Sequence, residues 1–144
     1  MEDLDHKMDV PNDLNLGIGA FDGQHRDFLL HMISLRRALI DGTGGRDKLM
    51  KMLRFLDTFV DEHFAVEERY MRQYNYPGIL VHRLDHEKFA KTIAEFKKKA
   101  VDLDNRGEVM TFLAVEVRQH LEKWLEDHIR TRDRKMADYL HERM

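Results

Sequence analysis

Cysteine is absent from this sequence, and proline (2) and glycine (8) are scarce. Without cysteine the chain forms no disulfide, no thiolate metal site and no thiol nucleophile. No apolar run approaches the ~20 residues that a membrane-spanning helix needs, and the acidic start Met1–Asp5 is unlike a signal peptide. These absences predict a soluble, cytoplasmic protein that does not insert into a membrane.

A strong excess of charge of one sign is also lacking. The formal net charge is −3, which gives no reason to expect nucleic acid as a partner. Apolar residues (42%) and charged residues (35%) are plentiful, a mixture typical of long amphipathic helices. The 144 residues suit one domain. We expect an N-terminal arm over 1–20, a four-helix bundle with a metal site over 21–133, and a tail over 134–144.

Apolar residues recur at intervals of three and four along four segments, and a stop signal follows each of the first three. The pattern predicts an all-α, up-down-up-down four-helix bundle with a short C-terminal tail helix. Asp22 is the expected N-cap of the first helix, and Phe112 is expected on the inner face of the fourth. The predicted helices run from near Asp22 to Asp41, Arg46 to Tyr74, Ile79 to Asn105, Glu108 to Arg130, and Lys135 to Glu142.

Polar residues interrupt the predicted inner faces, and the chain is rich in histidine, with nine in all. The interruptions fall at the start of the first and third helices and at the end of the second and fourth. In an antiparallel bundle these four positions lie at one end. The residues are His25, His63, Glu67, His82, His86 and His128, with Asp133 just beyond the fourth helix.

Each of these residues alone has a simpler explanation. His63 and Glu67 have the spacing of a helix-stabilising pair, and Asp133 is placed to cap the tail helix. Together, however, burying all seven without a metal would cost several kcal/mol for each group. The pattern therefore predicts a metal site, and seven ligands suit two ions with the carboxylates bridging. Imidazole binds Fe, Zn, Cu and Ni, so the ligand types leave the metal open.

Asp133 needs a departure from regular helix to join the others. It follows His128 by five residues, a spacing that turns it ~140° away on a straight α-helix. We therefore expect the chain to bend or unwind after about Arg130.

The motifs in this chain resemble the bacterial hemerythrins over roughly residues 14 to 133. The resemblance implies two iron ions bridged by an oxo or hydroxo group, at which O2 binds reversibly. It further implies that His82, His86 and His128 hold one iron, that His25 and His63 hold the other, and that Glu67 and Asp133 bridge them. The motifs that carry it are Leu16-Gly17-Ile18, Asp22-Gly23-Gln24-His25, His63-x-x-x-Glu67, Tyr76-Pro77, His82-x-x-x-His86 and Trp124-Leu125-x-x-His128-Ile129-x-x-x-Asp133.

The expected function is oxygen storage, delivery or scavenging, with an oxygen-consuming enzyme as a partner and no enzymatic activity of its own. Apolar neighbours of the ligands are predicted to wall the O2 pocket. Three alternatives remain open: a di-iron enzyme acting on peroxide or NO, an O2- or redox-sensing module, and a metal buffer. The predicted pocket residues are Phe28, Phe64, Trp124, Leu125 and Ile129.

Overall fold

The computed structural model describes residues 14–42, 45–103 and 107–144. Within these ranges the regular structure is helical and contains no strand, which confirms the predicted all-α class. No helix in the same ranges is long and apolar enough to cross a membrane. The elements are α1 (Gly19–Asp41), α2 (Gly45–Gln73), α3 (Ile79–Asp102), α4 (Gly107–His128), a π-helical turn (Ile129–Asp133) and α5 (Arg134–His141).

The four long helices form a bundle in which α1 and α3 each contact α2 and α4. Each helix buries one apolar stripe. On α3, for example, Phe89, Ile93 and Phe96 recur at intervals of three and four, and all three are buried. Burying such stripes against one another removes apolar surface from water, which stabilises the bundle by roughly 25 cal/mol per Å².

The prediction for Phe112 was wrong, since this side chain is 76% exposed. The buried stripe of α4 instead passes through Met110, Leu113 and Val117. Phe112 precedes Leu113 by one residue, about 100° around the helix, so an aromatic residue here faces outward. The prediction relied on the hydrophobicity of Phe112, whereas the helical period places this residue outside the buried stripe.

The end of α2 is set by a local sequence signal. Asn75 adopts a left-handed conformation with φ 54°, which asparagine tolerates better than most residues. The Tyr76 N–H donates to the Met71 carbonyl at 2.8 Å, and the Asn75 N–H donates to the Arg72 carbonyl at 3.3 Å. These two bonds make a Schellman motif, which ends α2 and turns the chain towards α3.

The start of α1 differs from its prediction. The Asp22 N–H donates to the Ile18 carbonyl at 3.0 Å, so the helix begins at Gly19 and Asp22 is inside it. Instead of capping α1, the Asp22 carboxylate accepts hydrogen bonds from the Leu16 and Gly17 N–H groups, at 2.8 and 2.9 Å. It thereby fixes the segment that precedes the helix.

Residues 14–18, in the predicted N-terminal arm, pack against the bundle. Leu14, Leu16 and Ile18 are all buried. The His141 imidazole on α5 lies 2.7 Å from the Leu16 carbonyl oxygen, so the arm is held by both α1 and α5. Val10 and the rest of residues 1–13 lie outside the described ranges.

Candidate metal centre

Seven polar or charged residues are buried within the described ranges, and all of them lie at one end of the bundle. The carboxylates are fully enclosed, with both side chains 0% exposed. The start of α1, the end of α2, the start of α3 and the end of α4 each contribute. The residues are His25, His63, Glu67, His82, His86, His128 and Asp133, the same seven that the sequence predicts.

One oxygen of each carboxylate faces a set of three histidines. Glu67 Oε1 lies 3.0 Å from His86 Nε2 and 3.5 Å from His82 Nε2. Asp133 Oδ1 lies 3.0 Å from His82 Nε2 and 3.1 Å from His128 Nε2. We call these three histidines the three-histidine group.

The other oxygen of each carboxylate faces the remaining two histidines. Glu67 Oε2 lies 3.2 Å from His63 Nε2, and Asp133 Oδ2 lies 3.2 Å from His25 Nε2. The Nε2 atoms of His25 and His63 are 3.0 Å apart. We call this pair the two-histidine group. Each carboxylate thus contacts both groups, and it does so through different oxygens.

The donor set fits two metal ions. Two bonds of about 2.1 Å at a right angle place their ligand atoms about 3.0 Å apart, close to the separations between the Nε2 and carboxylate atoms. All four oxygens of Glu67 and Asp133, and the Nε2 atoms of His82, His86 and His128, lack a partner in hydrogen-bonding geometry. Buried polar atoms are costly when unsatisfied, and metal coordination would satisfy these.

The π-helical turn brings Asp133 into the cluster. Its hydrogen bonds span five residues where an α-helix spans four, so the residue five positions after His128 returns to the same side. The turn begins at Ile129, one residue before the predicted departure from the helix. The expectation that the chain unwinds near Arg130 therefore agrees with the structure.

Three of the five histidines also have a polar neighbour at Nδ1, the nitrogen that points away from the cluster. The His63 Nδ1–H donates a short hydrogen bond to Gln24 Oε1. Glu68 Oε2 lies 3.2 Å from His86 Nδ1, and Asp85 Oδ2 lies 3.7 Å from His128 Nδ1. At 3.7 Å the last contact is an ion pair rather than a hydrogen bond. For His25 and His82, Nδ1 is buried without a partner among the described residues.

Sequence reasoning did not find these Nδ1 partners. Gln24, Glu68 and Asp85 each stand next to a predicted ligand in the chain, where they resemble ordinary solvent-facing residues. The available signal was their position: a polar residue beside a ligand on one helix can reach the ring of a ligand on the neighbouring helix.

Aromatic rings pack directly on the three-histidine group. Phe64 is stacked on His86, with ring centroids 3.7 Å apart and the planes within 3°. Trp124 is stacked on His128 at 4.5 Å. The structure therefore places these two predicted pocket residues against the three-histidine group. Of the other three, Leu125 and Ile129 are buried and Phe28 lies in the adjoining aromatic core.

The two-histidine group has its own aromatic neighbours, which the sequence prediction missed. Phe59 is stacked on His63 at 4.6 Å, and Phe21 meets the same ring edge-on at 6.3 Å. Phe59 lies four residues before His63, one turn along α2. That helical spacing was the signal that could have revealed it.

The buried groups shift one another's pKa. Burial alone would lower the pKa of His82, but Asp133 and Glu67 raise it to about 9. At His128 burial also lowers the pKa, but the charge of Asp133 and a hydrogen bond to it outweigh burial and raise the pKa to about 10. The pKa of Glu67 lies well below its usual range because the histidines around it, led by His63, outweigh burial. His128 lowers the pKa of Asp133 against the effects of burial and Glu67. Without metal, the imidazoliums of His82 and His128 thus offset the negative charge of the two carboxylates near neutral pH.

The fold and the site define a class: a four-helix bundle with a buried cluster of five histidines and two carboxylates that can hold metal ions. Residues 16–140 match the family model described as "Hemerythrin HHE cation binding domain". This chain belongs to the hemerythrin family.

Relatives share most of the chain. A bacteriohemerythrin of Clostridium acetobutylicum is 27% identical over 130 residues, which cover 88% of this chain and 96% of that protein. A bacteriohemerythrin of Stenotrophomonas maltophilia is 32% identical over 88% of this chain and 77% of its own length. A hemerythrin from Sipunculus nudus is 31% identical over 67% of this chain and 70% of its own.

Proposed function

We propose that this protein binds O2 reversibly at a non-haem di-iron centre held by the seven buried residues. The division of the carboxylate oxygens carries the proposal. Glu67 and Asp133 each turn one oxygen to the three-histidine group and the other to the two-histidine group. A single ion would not require two such sets, whereas two ions bridged by both carboxylates would use every one of these atoms.

The two halves of the site are unequal. His82, His86 and His128, with one oxygen from each carboxylate, offer five protein atoms to one ion. His25 and His63, with the other two oxygens, offer four to the second. Since the second ion has one protein ligand fewer, we assign the binding position for a small molecule to the side of the two-histidine group.

The surroundings of the two-histidine group favour binding over further chemistry. When bound, a pair of ferrous ions supplies the electrons that O2 accepts. The chain orients the ligands, excludes water and packs aromatic rings around His63: Phe21, Phe59 and Phe64 carry no acid or base. Because these rings offer no proton donor, release of the bound ligand as peroxide should be slow, so we propose a binding protein rather than an enzyme.

Elemental analysis and a visible spectrum test this function together. Protein expressed with ample iron should contain two irons per chain. The reduced protein should develop a visible absorption band on exposure to air and lose it when O2 is removed. One metal per chain, or zinc in place of iron under these conditions, would contradict the di-iron assignment. Rapid bleaching with turnover of peroxide or NO would favour the enzyme instead.

A further inference from the structure

The two histidine groups differ in the charge of the side chains behind them. In the three-histidine group, carboxylates lie behind two of the rings: Glu68 behind His86 and Asp85 behind His128. In the two-histidine group, His63 has the neutral amide of Gln24 as its partner. Among the described residues, the site is therefore asymmetric beyond its ligands, with carboxylates behind the three-histidine group and an amide behind the two-histidine group.

Each of these carboxylates is held by an arginine. Arg83 Nε lies 3.3 Å from Glu68 Oε1, the oxygen that does not face His86. Arg132 Nε donates to Asp85 Oδ2 at 2.8 Å. Two similar chains of contacts result. Each runs from an arginine guanidinium at the surface, through a carboxylate, to the Nδ1 atom of a histidine. Glu68 and Asp85 are 20% and 27% exposed, and Asp85 and Arg132 line a surface groove of about 430 Å³.

A carboxylate behind an imidazole has two effects on a metal in front of it. Within hydrogen-bond distance, as Glu68 is from His86, it holds the proton on Nδ1, which leaves the Nε2 lone pair directed at the metal and makes that nitrogen more basic. Its charge also stabilises the higher oxidation state of the metal. Asp85, 3.7 Å from His128 Nδ1, acts through its charge. An amide partner fixes the tautomer in the same way but adds no charge.

We propose that Glu68 and Asp85 are positioning residues that strengthen iron binding by the three-histidine group and lower the reduction potential of the centre from that side. Arg83 and Arg132 moderate the effect by neutralising part of each carboxylate's charge. This inference rests on the proposed di-iron function. Under this inference, four residues that are not ligands control the reduction potential of the centre.

Four single variants test the proposal: Glu68→Gln, Asp85→Asn, Arg83→Gln and Arg132→Gln. Each would be loaded with iron, and its iron affinity and midpoint potential would be measured, the latter by spectroelectrochemical titration. Removing either carboxylate should weaken iron binding by about tenfold and shift the potential upwards. Removing either arginine should shift the potential downwards, because the carboxylate that it neutralised keeps its full charge.

Opposite shifts in the midpoint potential distinguish an electrostatic effect on the iron from a general loss of structure around it. A merely structural role would shift the potential of all four variants in the same direction. Asp127→Asn is the matched control. Asp127 lies on the same helix as His128, but its carboxylate accepts a hydrogen bond from Lys123 at 3.0 Å. The Asp127→Asn variant should leave both the iron affinity and the midpoint potential unchanged.

The outcomes separate this inference from the proposed function. If the wild-type protein holds two irons and binds O2 but the four variants match Asp127→Asn, or all shift alike, the positioning role is wrong and the function stands. If the wild-type protein holds two irons without a reversible oxygenated band, O2 binding is wrong. The opposite potential shifts would still establish the positioning residues in that case.

Discussion

Asp133 Oδ1 lies 3.1 Å from His128 Nε2, although the two residues are five positions apart in a helical segment. A regular α-helix would point their side chains ~140° apart. The π-helical turn over Ile129–Asp133 closes this angle, and π-helical turns recur at functional sites. The same turn lets the other oxygen of Asp133 reach His25, on the far side of the cluster.

Replacing Asp133 should therefore affect both halves of the site. We predict that Asp133→Ala lowers the iron content of the purified protein and abolishes the visible band that forms on oxygenation, because each ion loses an oxygen ligand. Asp127→Ala, on the exposed side of α4, should do neither. An Asp133→Ala protein that binds O2 like the wild type would contradict a role for Asp133 in holding both ions.

The positions of six of the seven buried residues followed from the sequence because each interrupts an apolar stripe of known period. An antiparallel bundle then brings the start of α1 and α3 to the same end as the close of α2 and α4. Asp133 required one more step, since its spacing from His128 fits the cluster only if the chain bends or unwinds. Periodicity therefore predicted where the other six residues meet, and the spacing of Asp133 predicted an irregularity that the structure shows to be a π-helical turn.

Other features depend on packing between helices, which single-helix patterns do not contain. Glu68 and His86 lie on α2 and α3, so their contact depends on how these helices are rotated against each other. Phe112 was misplaced because its hydrophobicity was given more weight than its angle on α4. Asp22 was misassigned because an aspartate near a helix start resembles an N-cap, whereas here it binds the backbone that precedes the helix.

Without metal, the two ends of the bundle should differ in stability. The cluster end holds five imidazoles and two carboxylates, and many of their buried atoms lack hydrogen-bond partners, whereas the far end is packed by apolar residues such as Leu35, Leu53 and Leu113. We predict that removing iron lowers hydrogen-exchange protection near the seven ligands and leaves the far end protected. The same protection pattern in both forms would contradict this prediction.

The stability of the metal-free protein should fall as the pH rises above neutrality. Folding raises the pKa of His82 to about 9 and that of His128 to about 10, from an ordinary 6.5. Protonated imidazole is thus favoured in the folded state, and its contribution is complete below pH 6.5 and lost as the pH passes 9 and 10. Glu67 and Asp133 have lowered pKa values, so their contribution is lost at acid pH.

Urea unfolding of the metal-free protein at several pH values checks this prediction. The midpoint should be highest between about pH 5 and 6.5 and should decline towards pH 10. His120→Gln, an exposed histidine on α4, should leave the profile unchanged, whereas His82→Gln should flatten its alkaline part. The iron-loaded protein should lose its metal on acidification instead, since protons compete with metal for imidazole. A metal-free protein that gains stability from pH 7 to 10 would contradict the proposed charge balance.

The last prediction concerns Asp22, which holds residues 14–18 against the bundle. Asp22→Ala removes both hydrogen bonds to the Leu16 and Gly17 N–H groups. We expect a loss of about 1–3 kcal/mol in the free energy of unfolding, measured in urea, because the acceptor is charged and the Leu16 bond is partly buried. Hydrogen exchange at the Leu16 and Gly17 amides should accelerate as well.

Asp27→Ala is the control for this substitution, since Asp27 is an exposed carboxylate on the same helix. Its effect on stability should stay within about 0.5 kcal/mol. The His141 contact to the Leu16 carbonyl would remain in the Asp22→Ala protein, so the arm should loosen from α1 while α5 still holds it. If Asp22→Ala and Asp27→Ala are equally stable, the arm is held by the burial of Leu14, Leu16 and Ile18 rather than by the carboxylate.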